Sequence, residues 1–414
     1  MLPNAERDTM SGPLNGVRVL DLTTVLMGPY ATQILAEYGA EVLKVEPPEG
    51  DGTRGIGPMR SPGMGAIFLN ANRGKRSMVL DLKRPEARAA LLRLAENMDV
   101  LIYNVRPQAM ARLGLSYEEV RAVNPRIVYV GVFGYGRAGP YGDRPAYDDL
   151  IQGAAGLPAL SLMAGSPTPR YVPTTIADRT VGLSAVGAIL AALLHRERSG
   201  EGQSVDVPMF ETMTQFVMGD HLGGRSFVPA EGPAGYARLL AHERRPYPTR
   251  DGYICALIYS NRQWKSFCAL IGQPQMFDAD PRLASLTTRT QHIDALYRFV
   301  AEQMPMRTTA EWMQALEEAD IPCMPMHTPD SLLDDPHLRA VGFFSPVEHP
   351  SEGTLLSMSV PSTWSHSPPG PTRPAPRLGE HTAEGLRELG YDEAAILAVT
   401  QGGVATPAVA NGAA

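Results

Sequence analysis

The sequence lacks the features that mark several classes of protein. It has only three cysteines, Cys255, Cys268 and Cys323, in 414 residues. Their number is odd and their spacing is not that of a zinc site, so neither a disulfide framework nor structural zinc is expected. The nine histidines form no HExxH or similar cluster, and the sequence therefore predicts no metal site.

Long apolar runs and an excess of positive charge are also missing. The longest apolar stretch, Ala185–Leu194, is far shorter than the ~20 residues that a membrane span needs. The first residues contain no apolar segment of the signal-peptide type. The formal net charge is −7, which argues against nucleic acid as the main partner. We therefore expect a cytoplasmic protein that binds neither membrane nor nucleic acid.

Glycine and proline are abundant, with 40 and 37 residues, and they favour a loop-rich α/β protein. Predicted strands alternate with helices through the first 135 residues, a pattern typical of a parallel sheet covered by helices. The predicted strands are Gly16–Leu22, Ala40–Glu46, Ser77–Lys83, Asp99–Val105 and Arg126–Gly136. We expect an α/β fold with a large domain of this kind.

The length of the chain predicts two structural units, because one hydrophobic core rarely extends over so many residues. A predicted helix, Met209–Leu222, precedes a passage rich in glycine and proline that has the composition of a linker. The expected division is a large domain over 1–225, a small domain with its linker over 226–330, and a return to the large domain over 331–414. The small, uncharged tail is predicted to be disordered.

Basic residues follow several of the predicted strands, where ligands bind in a parallel sheet. They are Lys83, Arg106, Arg112 and Arg137. Such residues suit a phosphorylated ligand, although charged residues are also common at any surface.

The segment "GYGRAGP" at 134–140 matches G-x-G-x-x-G. That fingerprint of dinucleotide binding needs a helix to begin directly after it. Pro140, Gly142 and Pro145 prevent this, so NAD is not a predicted ligand.

One carboxylate, Asp178, stands before a long apolar helix in "PTTIADRTVGLSAVGAILAALLHRERSGEGQSVDV". Aspartate is a favoured helix cap, because its side chain accepts a hydrogen bond from an unpaired backbone N–H group. It also suits the positive end of the helix dipole. The local pattern therefore leaves two interpretations open, a helix cap or a chemically active carboxylate.

Several segments together resemble CoA-transferase family III, the group of the formyl-CoA:oxalate and carnitine CoA-transferases. They are "PLNGVRVLDLTTVLMGPYATQILAEYGAEVLKVEPPEGDGTRG", "NRGKRSMVLDLKRPE", "MDVLIYNVRPQAMARLGLSYEEV", "GYGRAGPYGDRPAYD", "LLHRERSGEGQSVDVPMFE" and "RLGEHT". The resemblance extends over nearly the whole chain in the family's order. It implies a Rossmann-like parallel-sheet large domain, a smaller α+β domain and an interlocked, ring-like homodimer.

The resemblance also implies an activity and a site. Asp178 corresponds to the family's nucleophile, which transfers CoA from an acyl-CoA to a carboxylic acid through an anhydride and an aspartyl-CoA thioester. An ordinary aspartate is ionised at neutral pH, and we expect partial burial to strengthen it while it stays charged. No cofactor is expected to be bound permanently, because CoA enters as substrate. The implied CoA contacts are Val25, Leu26, Met27, Leu80, Lys83, Asn104, Val105, Arg106, Arg112, Tyr135, Gly136, Arg137 and Met209.

The chain departs from some members of this family. Pro47 and Pro48 stand where some members have an arginine, and the glycine run of the formyl-CoA transferases is missing, which makes oxalate or formate a doubtful substrate. A first alternative is an α-methylacyl-CoA racemase of the same fold. Its histidine, however, is replaced here by Tyr147, whose ordinary pKa of ~10 makes it a poor base. A second alternative is a non-catalytic CoA-binding protein, in which Asp178 is only a cap.

Overall fold

The computed structural model describes residues 11–370 and 373–400. Two compact units divide the chain. The first unit comprises the described parts of Met1–Ala154, Pro173–Thr214 and Val341–Ala414, and the second comprises Ala155–Val172 and Gln215–Ala340.

A six-stranded parallel sheet forms the centre of the first unit. The strands are β1 (Arg18–Leu22), β2 (Glu41–Glu46), β3 (Lys75–Val79), β4 (Val100–Tyr103), β5 (Val128–Phe133) and β6 (Gln203–Pro208). Their spatial order is β3-β2-β1-β4-β5-β6, the order of a doubly wound dinucleotide-binding fold. The central strands are rich in valine, leucine and isoleucine, and they are buried because helices cover both faces of the sheet.

The helices differ greatly in length, and the longest, α8, packs against α1 and the sheet. Those up to α8 are α1 (Met27–Glu37), α2 (Ala66–Ala71), α3 (Pro85–Ala95), α4 (Pro107–Arg112), α5 (Tyr117–Val123), α6 (Asp148–Ala154), α7 (Leu157–Met163) and α8 (Ile176–Ser199). Those after it are α9 (Met209–His221), α10 (Asn261–Leu270), α11 (Met276–Ala279), α12 (Leu286–Gln291), α13 (Ile293–Gln303), α14 (Thr309–Glu318), α15 (Pro329–Leu332), α16 (Pro336–Ala340), α17 (Thr382–Glu388) and α18 (Glu393–Thr400).

The predicted parallel sheet is confirmed, with some differences in its strands. β3 begins at Lys75 and ends at Val79, earlier than predicted, because the Asp81 carboxylate accepts the Lys83 N–H group and turns the chain. The sequence pattern did not predict β6. It also missed a hairpin of the first unit, formed by β10 (Phe344–His349) and β11 (Gly353–Met358).

The second unit has its own small core. An antiparallel sheet of β7 (Tyr247–Pro248), β8 (Tyr253–Ala256) and β9 (Cys323–Pro325) packs with helices around Trp264, Phe267 and Trp312. The segment Ala155–Val172 belongs to this unit, since Gly165 lies directly against His242. The predicted boundaries, at 225 and 330, thus differ from the structural ones, at 214 and 340. The tail predicted to be disordered, 402–414, lies outside the described residues.

One helix in the described part of the chain, α8, is long and apolar enough to cross a membrane. A buried core helix meets the same criteria, so this finding is weak evidence for a membrane span. α8 packs against α1 and against β5 and β6 of the sheet, which is the environment of a core helix.

Candidate active site

The site lies at the carboxyl ends of β1 and β4, where the order of the strands reverses. The chain leaves β1 toward β2 on one side and leaves β4 toward β5 on the other, and the diverging loops form the crevice in which such sheets bind ligands. Asn104 joins the two loops. Its amide oxygen accepts from the Thr24 N–H group at 3.0 Å, and its amide nitrogen donates to the Thr24 carbonyl at 2.7 Å.

The loop after β1 is held in an unusual conformation. Val25 has a φ of +71°, a left-handed value that is costly for a β-branched residue. The Val25 N–H group lies 3.2 Å from both carboxylate oxygens of Asp51, and Lys44 donates to the Thr23 carbonyl at 2.6 Å. Side chains from other elements therefore fix the main chain of this loop.

Asp178 lies in the first turn of α8 and is not its N-cap. The N-cap residue is Thr175, and Asp178 is the third residue of the helix. The Asp178 carboxylate accepts no hydrogen bond from any residue in 11–370 or 373–400. Asp178 therefore does not cap α8, and the interpretation of this residue as a helix cap is wrong.

The packing of α8 sets the helix face that carries Asp178 against the beginning of α1. Gly182, one turn further along α8, lies so close to α1 that an added Cβ atom would be 2.8 Å from the Met27 carbonyl oxygen. Residues four apart share one face of a helix. Asp178 and the beginning of α1 therefore lie on the same side of the site, and the Arg179 guanidinium lies 4.3 Å from the centre of the Tyr30 ring.

A second carboxylate, Asp148, lies beside the nucleophile candidate. One oxygen of Asp148 accepts the Asp178 N–H group at 3.0 Å, and the other accepts from the Gln152 amide at 2.7 Å. Burial and the negative charge of Asp148 raise the pKa of Asp178 from 3.8 to about 7, against the opposing effect of Arg179. The expectation that partial burial leaves Asp178 fully ionised is thus wrong at neutral pH, where both protonation states are populated.

The predicted ligand residues after β1 differ in exposure. The side chain of Val25 is 43% exposed, whereas Leu26, the N-cap of α1, and Met27, its first residue, are buried. Val25 can therefore contact a ligand through its side chain, while Leu26 and Met27 mainly present their main chain.

The predicted ligand residues beyond β3 lie near the edge of the sheet. Leu80 is 1% exposed and packs in the core, so that only its main chain can reach a ligand. Lys83 is exposed, and its ammonium group has no partner among the described residues. Lys83 is thus available to an anionic ligand.

The loop after β4 and the helix that follows it carry two more free cations. Arg106, the N-cap of α4, and Arg112, in its last turn, are exposed. Neither guanidinium pairs with a described residue. Val105, 39% exposed, lies beside them.

The loop after β5 is bound to α9 and β6. Glu211 accepts the Gly136 N–H group at 2.9 Å, and Arg137 forms an ion pair with Asp206 at 2.5 Å. Tyr135 packs on Phe210, with ring centres 5.8 Å apart. Met209, the first residue of α9, is 3% exposed, so its side chain belongs to the core.

The spread of these residues suits a long ligand. β3 and β5 are separated by four strand spacings, or about 19 Å at the usual distance between strands. A ligand that reaches from Lys83 to the loop after β5 must therefore be extended. No cluster of side chains with metal-ligand geometry occurs in the residues that the structure describes.

Sequence reasoning missed Asp148, Lys44, Asp51 and Glu211. Lys44 carries the clearest signal, because it lies between Leu43 and Val45 in a strand of a parallel sheet. A charge in such a strand is expected to have a buried partner. Asp148 had no comparable signal, since it begins a short helix and has other charged residues as neighbours in the sequence.

Comparisons with known proteins find similar chains over most of the sequence. The model of CoA-transferase family III matches residues 14–382. The succinate–glutarate CoA-transferase of Agrobacterium fabrum is 33% identical over 91% of this chain and 96% of its own length. The formyl-CoA:oxalate CoA-transferase of Escherichia coli is 31% identical over 95% of this chain and 99% of its own. The crystal structure of a CAIB/BAIF family protein from Brucella suis superposes with a TM-score of 0.77 at 30% identity, over 92% of this chain and all of that one.

Proposed function

The chain belongs to CoA-transferase family III, and on that premise we propose that it transfers CoA to a carboxylic acid by covalent catalysis on Asp178. The observation that carries the proposal is the environment of this carboxylate. It is half-buried, it lies in the first turn of α8 on the face that packs against the beginning of α1, and it accepts no hydrogen bond from the described residues. A carboxylate without hydrogen bonds keeps its lone pairs available for attack.

Four steps exchange the acids. The Asp178 carboxylate attacks the thioester carbonyl of the donor, the C–S bond breaks, and a mixed anhydride and CoA thiolate result. The thiolate attacks the aspartyl carbonyl of the anhydride and releases the donor acid, which leaves an aspartyl-CoA thioester. The acceptor carboxylate attacks this thioester and expels the thiolate, giving a second anhydride. The thiolate then attacks the acceptor's acyl carbon and restores Asp178. No net proton or water is consumed, so the energy of the thioester is conserved.

Asp148 positions and tunes the nucleophile in this proposal. Its carboxylate holds the main chain of Asp178 through the N–H contact, and its charge contributes to the raised pKa of Asp178. A raised pKa makes the carboxylate more basic, and nucleophilicity follows basicity. The same charge lowers the ionised fraction at neutral pH, so the two effects oppose each other.

Replacing Asp148 with asparagine should move the acid limb of the pH profile, where kcat/KM falls as the pH decreases, to lower pH. Asparagine retains an oxygen for the Asp178 N–H group but removes the negative charge, so the pKa of Asp178 falls toward its ordinary value. The shift should be partial, because burial is the larger cause of the raised pKa. The measurement is kcat/KM against pH, and Asp149→Asn, an exposed neighbour, is the matched control. An acid limb that stays in place would exclude this role of Asp148.

The proposal assigns the CoA contacts to residues that follow the strand ends. Lys83, Arg106 and Arg112, which pair with no described residue, suit the phosphates of CoA. Arg137 offers a charge that Asp206 partly neutralises. Val25, Val105 and Tyr135 offer exposed or half-buried apolar surface to the pantetheine arm. Leu26, Met27, Leu80, Asn104, Gly136 and Met209 complete the proposed site, with their main chain or by shaping its wall. No other group need be bound permanently.

The acids are proposed from the names of relatives. The curated relatives at about one-third identity include enzymes named for succinate, glutarate and oxalate, which are all dicarboxylic acids. The test is an exchange assay with succinyl-CoA as donor and glutarate, oxalate and acetate as separate acceptors. Formation of glutaryl-CoA faster than acetyl-CoA supports a dicarboxylate enzyme, and the absence of every acyl-CoA product would refute the proposed function for this donor.

We include an interlocked homodimer and a cytoplasmic location in the proposal, both implied by the family resemblance. For a chain of 44.7 kDa, light scattering of the dimer should give about twice this mass, because each ring encloses its partner. A stable, active species with the mass of one chain would contradict the dimer.

A racemase of the same fold would exchange a proton instead of CoA. That reaction needs acid and base groups on opposite faces of the α-carbon. Tyr147, which stands at the position of the racemase histidine, is 67% exposed, as expected of a surface residue. We expect no uptake of solvent deuterium at the α-carbon of a 2-methylacyl-CoA. Rapid uptake would instead identify a racemase.

A further inference from the structure

Six charged residues form a buried cluster beneath the loop after β1. They are the acids Asp21, Glu46 and Asp51 and the bases Lys44, Arg54 and Lys75, all at most 4% exposed. Ion pairs join Lys44 to Asp51 at 2.9 Å, Lys75 to Asp21 at 3.1 Å and Arg54 to Glu46 at 2.7 Å. The cluster arises because Asp21 and Lys44 are aligned in neighbouring strands and point to the same face of the sheet.

Stability alone does not account for this cluster. Charges are costly to remove from water, and apolar residues of similar volume often stabilise a protein as well as a buried ion pair does. Here the charges are balanced and extensively bonded. Burial would raise the pKa of Asp51, but Lys44 and the Thr53 groups hold it below its usual range. The carboxylate is thus a permanent anion that can serve as a fixed acceptor.

Lys44 and Asp51 both form hydrogen bonds with the main chain of the loop after β1. Lys44 donates to the Thr23 carbonyl at 2.6 Å, and Asp51 accepts the Val25 N–H group. Val25 is one of two non-glycine residues with positive φ among those described, with Asp320. A β-branched residue leaves this conformation unless its surroundings hold it there. Asp51 supplies the contact to the strained residue itself.

The strained residue stands two positions before Met27, which contacts the helix that carries Asp178. Val25 precedes Leu26 and Met27, and the Met27 carbonyl faces Gly182, one turn from Asp178. If Val25 changed to a negative φ, the main chain between β1 and α1 would shift relative to Asp178. A displacement of about 1 Å in an active site can lower the rate about a hundredfold.

We infer that Asp51, anchored by Lys44, is a positioning residue that holds Val25 in its left-handed conformation and so sets the loop after β1 against Asp178 for CoA transfer. The inference rests on the proposed function. According to this inference, Lys44 and Asp51 do not contact the substrate. They act only through the main chain of Thr23–Val25.

A double-mutant cycle with Val25→Gly tests the inference. Asp51→Ser keeps a hydroxyl that can cap the turn at Thr53, but it is too short to reach Val25. We expect kcat to fall by about tenfold or more, with a smaller change in KM for acyl-CoA. In the Val25→Gly background the same substitution should cost much less, because glycine adopts positive φ without strain. Equal losses in both backgrounds, or a loss of thermal stability with kcat unchanged, would overturn the inference.

Two further variants keep the test independent of folding. Asp51→Ser leaves Lys44 buried without its partner, so Lys44→Met/Asp51→Ser, which removes both charges, is measured in the same cycle. Folding of either variant only in the Val25→Gly background also supports the inference. Ser77→Ala is the matched control, since its hydroxyl binds Glu46 at 2.6 Å in the same cluster and does not touch the loop. It should lower thermal stability without changing kcat.

The outcome separates the inference from the proposed function. An unmodified chain that transfers no CoA would refute the proposed function. An unmodified chain that transfers CoA, together with equal losses in the cycle, would refute only the positioning role. Amide hydrogen exchange over Thr23–Met27 can be measured whether or not a variant is catalytically active. It should increase in Asp51→Ser and stay unchanged in Ser77→Ala, and no increase would overturn the inference directly.

Discussion

Replacing Asp178 with asparagine should lower CoA exchange by about 10⁴-fold or more, the scale of loss when a covalent nucleophile is removed. Asparagine has nearly the same volume and keeps the backbone contact to Asp148, but its amide cannot form the anhydride. Binding of CoA should change little, because the cations proposed to bind its phosphates follow other strands and not α8. The measurements are exchange between succinyl-CoA and an acceptor acid, and CoA binding by calorimetry.

The stability of the same variant distinguishes a nucleophile from a structural residue. The pKa of Asp178 is raised to about 7 in the folded chain. The protonated form therefore stabilises the fold below about pH 4, and this contribution is lost as the pH rises to about 7. Asp178→Asn removes the titration, so its unfolding temperature at pH 8 should equal or exceed that of the wild type. A variant that unfolds more readily at pH 8 while retaining exchange would assign Asp178 a structural role.

The rate of transfer should fall about tenfold for each pH unit below about 7, because only the carboxylate form of Asp178 attacks. The sign follows from the pKa: burial and Asp148 raise it, so the protonated, inactive form accumulates in a range where an ordinary aspartate is still ionised. The measurement is kcat/KM for acyl-CoA from pH 5.5 to 8, with saturating acceptor that stays ionised throughout.

The same profile has an internal control in the Asp148→Asn variant. In Asp148→Asn, kcat/KM should begin to fall at a lower pH than in the wild type. In Asp149→Asn, it should fall over the same pH range as in the wild type. A rate that is constant between pH 5.5 and 8 in the wild type would contradict the raised pKa, even if Asp178 is the nucleophile.

The sequence predicted the parallel sheet well, because hydrophobic strands alternating with amphipathic helices are a local signal. The hairpin β10–β11 was missed, since its strands alternate between half-buried and exposed residues and contain Pro346, which is uncommon in a strand interior. Its pairing depends on contacts that no local pattern reports.

The site was predicted less completely than the fold. Asp178 was identified by resemblance, because its local pattern favours a cap. Its raised pKa depends on burial and on the charge of Asp148, thirty residues earlier, and the two carboxylates meet only because α6 packs against α8. The buried position of Lys44 and the positive φ of Val25 likewise follow from tertiary packing. Such properties are not encoded in the spacing of residue types.

Mass spectrometry of the protein, quenched with acid during turnover with succinyl-CoA and an acceptor acid, tests the central claim most directly. The account predicts a peptide in which Asp178 carries CoA as a thioester, lost on treatment with hydroxylamine and absent from Asp178→Asn. An unmodified Asp178 at every quench time, while CoA exchange proceeds, would contradict it.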